Sequence, residues 1–241
     1  MITTTMNKNG QNEPGEPNVT DSLEALYQKS LRMLPLYVLV PLLFWALFRV
    51  MGYSLDWKGF GLGALGWIVA LFLRGPLSLI VRKWPEERVK NVIVGSSGVL
   101  EEGIRLLLIA VTSASFSWAQ SVGQGWAAIE VVYVMISVIL ISSLIKRTDE
   151  KAQQAKDMLM AQGNIQANPM WGILERIWAS AFHIGATLVV AYNPWMVILL
   201  IPLHSGLNMI AVRLAKTSFV GTSVFIAAVG LITLAAGLLL H

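Results

Sequence analysis

The sequence predicts an all-α polytopic transmembrane bundle of about seven helices with a cytoplasmic N-terminus. Of its 241 residues, 55% are hydrophobic and 13% charged, and the mean hydropathy is +0.63, too apolar for a soluble domain of that length. Unbroken apolar windows recur near 34–51, 59–81, 92–113, 122–145, 171–191, 195–212 and 219–240. Each approaches the roughly 20 residues that carry a helix across about 30 Å of hydrocarbon. None alternates with the period of two expected of a barrel strand.

The basic residues set the orientation. With seven spans, Lys8, Lys29, Arg32, Arg82, Lys83, Arg88, Lys90, Lys146, Arg147, Lys151, Lys156, Arg213 and Lys216 share one side, and Lys58 alone falls on the other. The positive-inside rule then puts the N-terminus in the cytoplasm and His241 outside. Lysines and arginines facing anionic headgroups account for the net charge of +4, so the expected partner is membrane lipid and not nucleic acid.

Taken in order, residues 1–33 read as a cytoplasmic tail with an approach helix from Asp21 to Leu34, and residues 34–241 as one transmembrane domain. The tail lacks the apolar core of a signal peptide, so the first window reads as an uncleaved anchor. In the second window Gly59, Gly63 and Gly66 allow close helix packing. Arg74 beside Gly75-Pro76 reads as an interfacial or structural residue at a helix break. The stretches Gly95-Ser96-Ser97-Gly98 and Ser121 to Gly125 are expected positions for a kink or a late start in the third and fourth windows. The segment from Lys146 to Asp157 is a good helix former expected to extend the fourth helix into water, with breaks at Gly163-Asn164 and Asn168-Pro169. Tyr53, Trp57, Trp84, Trp171, Tyr192 and Trp195 form an interface belt. The chain has no cysteine, which excludes disulfides and thiolate ligands. No internal repeat is visible, which weakens an inverted-repeat transporter reading.

Ionisable residues inside the windows mark the functional region: Glu101, Glu102 and Arg105, Glu130, Glu175 and Arg176, His183, and His204 with Asn208. Each charge costs roughly 2.5–3.5 kcal/mol at a helix centre, so several in one bundle imply a shared polar cavity. Helix rise places Glu101 and Glu102 about 15 Å deep, His183 about 18 Å and His204 about 12 Å, all near the midplane. Glu175 and Arg176 lie only about 6 Å in, where snorkelling and capping explain them as well. Glu101 and Arg105, like His204 and Asn208, are four apart and share a helix face; Arg176 and His183 are two turns apart on one stripe.

These residue types suit hydrolysis. A buried carboxylate can activate water, an imidazole can hold that water or relay its proton, and a second histidine with an amide one turn away can stabilise an oxyanion. Two histidines and Glu101 or Glu102 could instead ligate zinc with water in the fourth position. No HExxH motif is present, so a divalent metal such as zinc and a metal-free site both stay open. A structural ion pair would also account for Glu101, Glu102 and Arg105. Glu130 reads as a hydrogen-bonding support.

Glu101-Glu102-x-x-Arg105, Gly125-Trp-Ala-Ala-Ile-Glu130, Glu175-Arg176 with Phe182-His183, and His204-x-x-x-Asn208 occur in that order on four windows. Over this motif core, 99–208, the chain resembles the YhfC-type membrane peptidases, a branch of the CPBP (CAAX-protease and bacteriocin-processing) intramembrane peptidases. The resemblance implies an integral protein of a prokaryotic plasma membrane that cleaves a membrane-embedded peptide or protein. It also implies Glu101 or Glu102 as general base, His183 helping to activate water, and His204 with Asn208 stabilising the oxyanion. Two positions depart from the superfamily pattern: Arg105 follows Glu102 by three residues where that pattern has four, and Ala179 stands where it has phenylalanine. The competing readings are a non-catalytic scaffold or bacteriocin-immunity-type protein of the same fold, and a proton-coupled transporter.

Overall fold

The computed structural model of the chain describes residues 19–150, 152, 153 and 168–241. The expected tail up to residue 18 and the break at Gly163-Asn164 lie outside them. The described residues form helices without strands: α1 (Val19–Tyr37), α2 (Leu39–Val50), α3 (Trp57–Val81), α4 (Glu86–Val111), α5 (Phe116–Ile145), α6 (Met170–Tyr192), α7 (Val197–Leu214) and α8 (Phe219–Leu239). The expected approach helix and first span are nearly one rod, since only Val38 separates α1 from α2 and it keeps right-handed helical dihedrals.

Among the described residues, six helices are long and apolar enough to cross a membrane. The expected third span, 92–113, falls in α4, which is not one of the six. Its 26 residues include Glu86 and Glu87 in the first turn and buried Glu101, Glu102 and Arg105 further along. Hydropathy therefore undervalues a helix that is as long as its neighbours and packed between α3 and α7.

Local chemistry sets the helix ends. Asp56 caps α3 by accepting hydrogen bonds from the amides of Lys58 at 2.9 Å and Gly59 at 3.1 Å, and Ser218 caps α8 through the Gly221 amide at 2.9 Å. Asn193 accepts from the Trp195 amide at 3.0 Å and opens a short 3-10 turn into α7. Trp57 and Trp195 are mostly exposed there, as the interface belt requires.

Three expected irregularities do not interrupt their helices. α3 runs through Gly75-Pro76 to Val81, and α5 runs through Ser121–Gly125 from Phe116. The small residues of α5 serve packing instead: a Cβ on Gly125 would collide with the backbone of Phe60, and one on Gly63 with the backbone of Val122, so α3 and α5 lie backbone to backbone. Gly95–Gly98 likewise sits within α4. The expected extension of α5 into water is not continuous with it: the helix stops at Ile145, Arg147 pairs with Asp149 at 2.8 Å and helix resumes at Glu150, while residues 151 and 154–157 lie outside the described ones.

Helix contacts close a ring in the order α6, α5, α3, α4, α7, α8 and back to α6. The first helices, α1 and α2, lie outside it against α5 and α6. α6 is the most buried of the candidate spans, with every residue from Ser180 to Ala191 buried. The ring leaves a polar space in its interior.

Candidate active site

All six ring helices line one cavity of about 170 Å3. α3 contributes Arg74, α4 Glu101, α5 Glu130, α6 Arg176 and His183, α7 His204 and Asn208, and α8 Ile226. A wider mouth of about 330 Å3 shares Arg74, Arg176 and Asn208 with this cavity and adds Glu175, Ser97 and Thr222. These residues lie on the N-terminal parts of α4, α6 and α8 and the C-terminal parts of α3 and α7, so the mouth faces the end that carries the basic loops.

Three carboxylates in the bundle each meet one arginine. Arg74 Nη2 donates to Glu101 Oε1 at 2.5 Å, Arg105 Nε lies 3.0 Å from Glu102 Oε2, and Arg176 Nη1 donates to Glu130 Oε1 at 2.5 Å. The pairs neutralise one another without help from either histidine. Neutral pairing of this kind lets charges persist where isolated ones would be expelled.

Sequence spacing allowed Arg105 to pair with Glu101; the structure gives Arg105 to Glu102 and brings Arg74 across from α3 for Glu101. It also separates the two glutamates. Glu101 faces the cavity, whereas Glu102 is fully buried behind His204, whose Nδ1 lies 2.7 Å from its Oε1. Glu101 Oε2 is the freer oxygen, 3.4 Å from the Trp126 indole nitrogen and 3.9 Å from His204 Nε2.

Arg105 is the most enclosed of the three arginines. Its Nη1 donates to the His183 carbonyl at 2.7 Å and to Thr187 Oγ1 at 2.6 Å. Its Nη2 lies 3.0 Å from His183 Nδ1, and the guanidinium stacks 4.6 Å from the centre of the Trp126 ring. The other nitrogen of His183, Nε2, is 2.6 Å from Glu130 Oε2. Glu130 thus spans Arg176 and His183, two turns apart on α6, with one carboxylate oxygen for each. The two imidazoles sit edge to face with centroids 5.4 Å apart.

Asn208 lines both the cavity and its mouth and donates from Nδ2 to Ser97 Oγ at 2.8 Å, leaving its second amide hydrogen without that bond. Glu101, His183, His204 and Asn208 therefore converge, with Arg105 and Glu130 as supports. Arg176 belongs to the cavity wall, and Glu175 only to the mouth. Sequence reasoning missed Arg74 as a cavity residue, as well as Thr187, Ser97 and Trp126. For Arg74 the signal was present, since it is an arginine inside an apolar window like those that were singled out.

Glu101, His183 and His204 present ligand atoms within 4.8 Å of one another, near enough to raise the question of a metal. The donor set does not fit one. Nδ1 of His183 is covered by an arginine nitrogen and Nε2 by a carboxylate, while Glu101 is engaged by Arg74. A dication would also enter a cluster in which each of these acids already has its own cation. Glu101 and His204 Nε2 alone fall short of the three protein ligands of a catalytic zinc.

No protein-family model, curated protein or solved structure matches the chain.

Proposed function

We propose that this membrane protein is an intramembrane endopeptidase that hydrolyses a peptide bond with a glutamate-activated water. One observation carries the reading: Glu101, His183 and His204 bring donor and acceptor atoms within 4.8 Å of one another on the wall of a cavity that all six ring helices line. General acid–base chemistry on one water needs groups that converge in this way. The resemblance of the four ordered motifs to the YhfC-type and CPBP peptidases points the same way.

In this reading Glu101 is the general base, because it and not Glu102 borders the cavity. Water forms a new C–O bond to the scissile carbonyl as its proton passes toward Glu101. The carbonyl electron pair moves onto oxygen and is stabilised by neighbouring N–H donors, of which the Asn208 amide is one. The C–N bond then breaks as the pair returns, and the proton is delivered to the departing amine. Glu102 and Arg105 orient the histidines from behind the cavity.

Purified protein in lipid vesicles, incubated with a pool of membrane peptides in water enriched in oxygen-18, tests this. The expected products carry a single heavy oxygen at a new C-terminal carboxylate, and Glu101→Gln forms them at least about 100-fold more slowly. Product formation unchanged in Glu101→Gln would overturn the assignment of the base.

A further inference from the structure

We infer that Arg105 holds the two cavity histidines in opposite tautomers, His183 protonated on Nε2 and His204 protonated on Nδ1. A guanidinium donates hydrogen bonds and accepts none, so His183 Nδ1, 3.0 Å from Arg105 Nη2, supplies a lone pair. Its proton is then on Nε2, where Glu130 accepts it across 2.6 Å. At His204 the polarity reverses. Glu102, 3.0 Å from Arg105 Nε, is the carboxylate that Nδ1 of His204 meets at 2.7 Å, so that nitrogen carries the hydrogen. His204 Nε2 is left bare, facing Glu101 Oε2 at 3.9 Å.

The lone pair that His183 gives to Arg105 keeps that ring neutral. At His204, Glu101, Glu102 and Glu130 each already have an arginine, and Glu175 stands beside Arg176 at the mouth, so no pair needs an imidazolium as its cation. The positioning group is itself immobilised. Arg105 has no exposed surface, is anchored by the His183 carbonyl and Thr187 Oγ1, and lies over Trp126. One arginine thereby supports one histidine directly and the other through Glu102.

The consequence for chemistry rests on the peptidase reading above. It gives His204 the lone pair that can hold or deprotonate water beside Glu101, and His183 the N–H that can turn from Glu130 toward an oxyanion. This exchanges the roles that the family resemblance implies for the two rings. Arg105 touches no substrate in this account and acts as a positioning residue.

Nitrogen-15 NMR of the ring-labelled protein in lipid vesicles at neutral pH reads the tautomers directly. The chain has three histidines, so His183→Gln, His204→Gln and His241→Gln assign every ring. The expected spectrum shows a protonated Nε2 with bare Nδ1 for His183, and the opposite for His204. Arg105→Lys, which keeps the charge but loses the fork, is expected to shift the His183 signals toward a mixture of tautomers in protein whose other labelled resonances stay put. Both rings in one tautomer, an imidazolium at either position, or His183 protonated on Nδ1 would each overturn the inference. The wild-type spectrum decides even if Arg105→Lys does not fold. Cleavage plays no part in the readout, so a protein without peptidase activity can still show opposite tautomers, and an active one can still lack them.

Discussion

Arg74 on α3 donates to Glu101 on α4 at 2.5 Å, so the carboxylate that faces the cavity is held from a different helix than the one that follows it in sequence. The bond occupies Oε1 and leaves Oε2 toward His204. Losing Arg74 strands Glu101 in the bundle, and breaking a buried pair costs about 3–5 kcal/mol. Exposure of part of the Arg74 side chain places its own loss toward the lower end of that range. Arg74→Gln should lower the thermal midpoint in detergent, and the double variant Arg74→Gln/Glu101→Gln should recover most of it. Cleavage should return in neither, because the double variant restores packing without a base. A double variant as unstable as the single one would mean that the pair is not coupled.

The two adjacent glutamates should separate cleanly. Glu101→Gln is expected to cut turnover by roughly 10²–10⁴-fold, the usual worth of a positioned base, and to leave Arg74 able to reach water. Glu102→Gln uncovers Arg105, which has no exposed surface, and is expected to cost about 3–5 kcal/mol of stability. Parallel melting curves and peptide-cleavage rates check the contrast. Equal effects of both substitutions on both measurements would show that the sequence pair acts as one unit.

Chelation supplies a further check on the donor set. Because each nitrogen of His183 already has a partner and Glu101 is engaged by Arg74, treatment with a strong zinc chelator should leave cleavage within a factor of two. Elemental analysis of the purified protein should find well under one zinc per chain. Stoichiometric zinc whose removal and return switch activity off and on would contradict the reading.

The α3–α5 contact that closes the ring should be equally sensitive. Glycine at 63 and 125 is required because a side chain there meets backbone on the facing helix. Overpacking of a close interface typically costs about 1–3 kcal/mol or more. Gly125→Val is expected to lower the melting midpoint in detergent. Gly61→Val has open space at that position and is expected to be tolerated.

The spans were legible because 20-residue apolar runs have few other uses, and the candidate site residues because charges inside such runs are expensive. Pairing was not legible. Arg105 lies three residues after Glu102 and four after Glu101, and both offsets share a helix face, so only the position of α3 could award Glu101 to Arg74. Arg74 itself was obscured by Gly75-Pro76, a local signal for a break that α3 overrides by running on to Val81. In the same way Ser121–Gly125 reads by composition as a place for a kink or a late start, yet its small residues are what lets α5 meet α3. Tertiary packing decided each of these, and packing leaves no local periodicity to read.

Peptidase action through Glu101 is the claim on which the functional account stands. It is tested most directly by mass-spectrometric comparison of new protein N-termini in membranes from cells expressing the wild-type chain or Glu101→Gln. The account predicts a set of N-termini in membrane segments that is present with the wild type and lost with Glu101→Gln at equal protein levels. The same set in both membranes would contradict it.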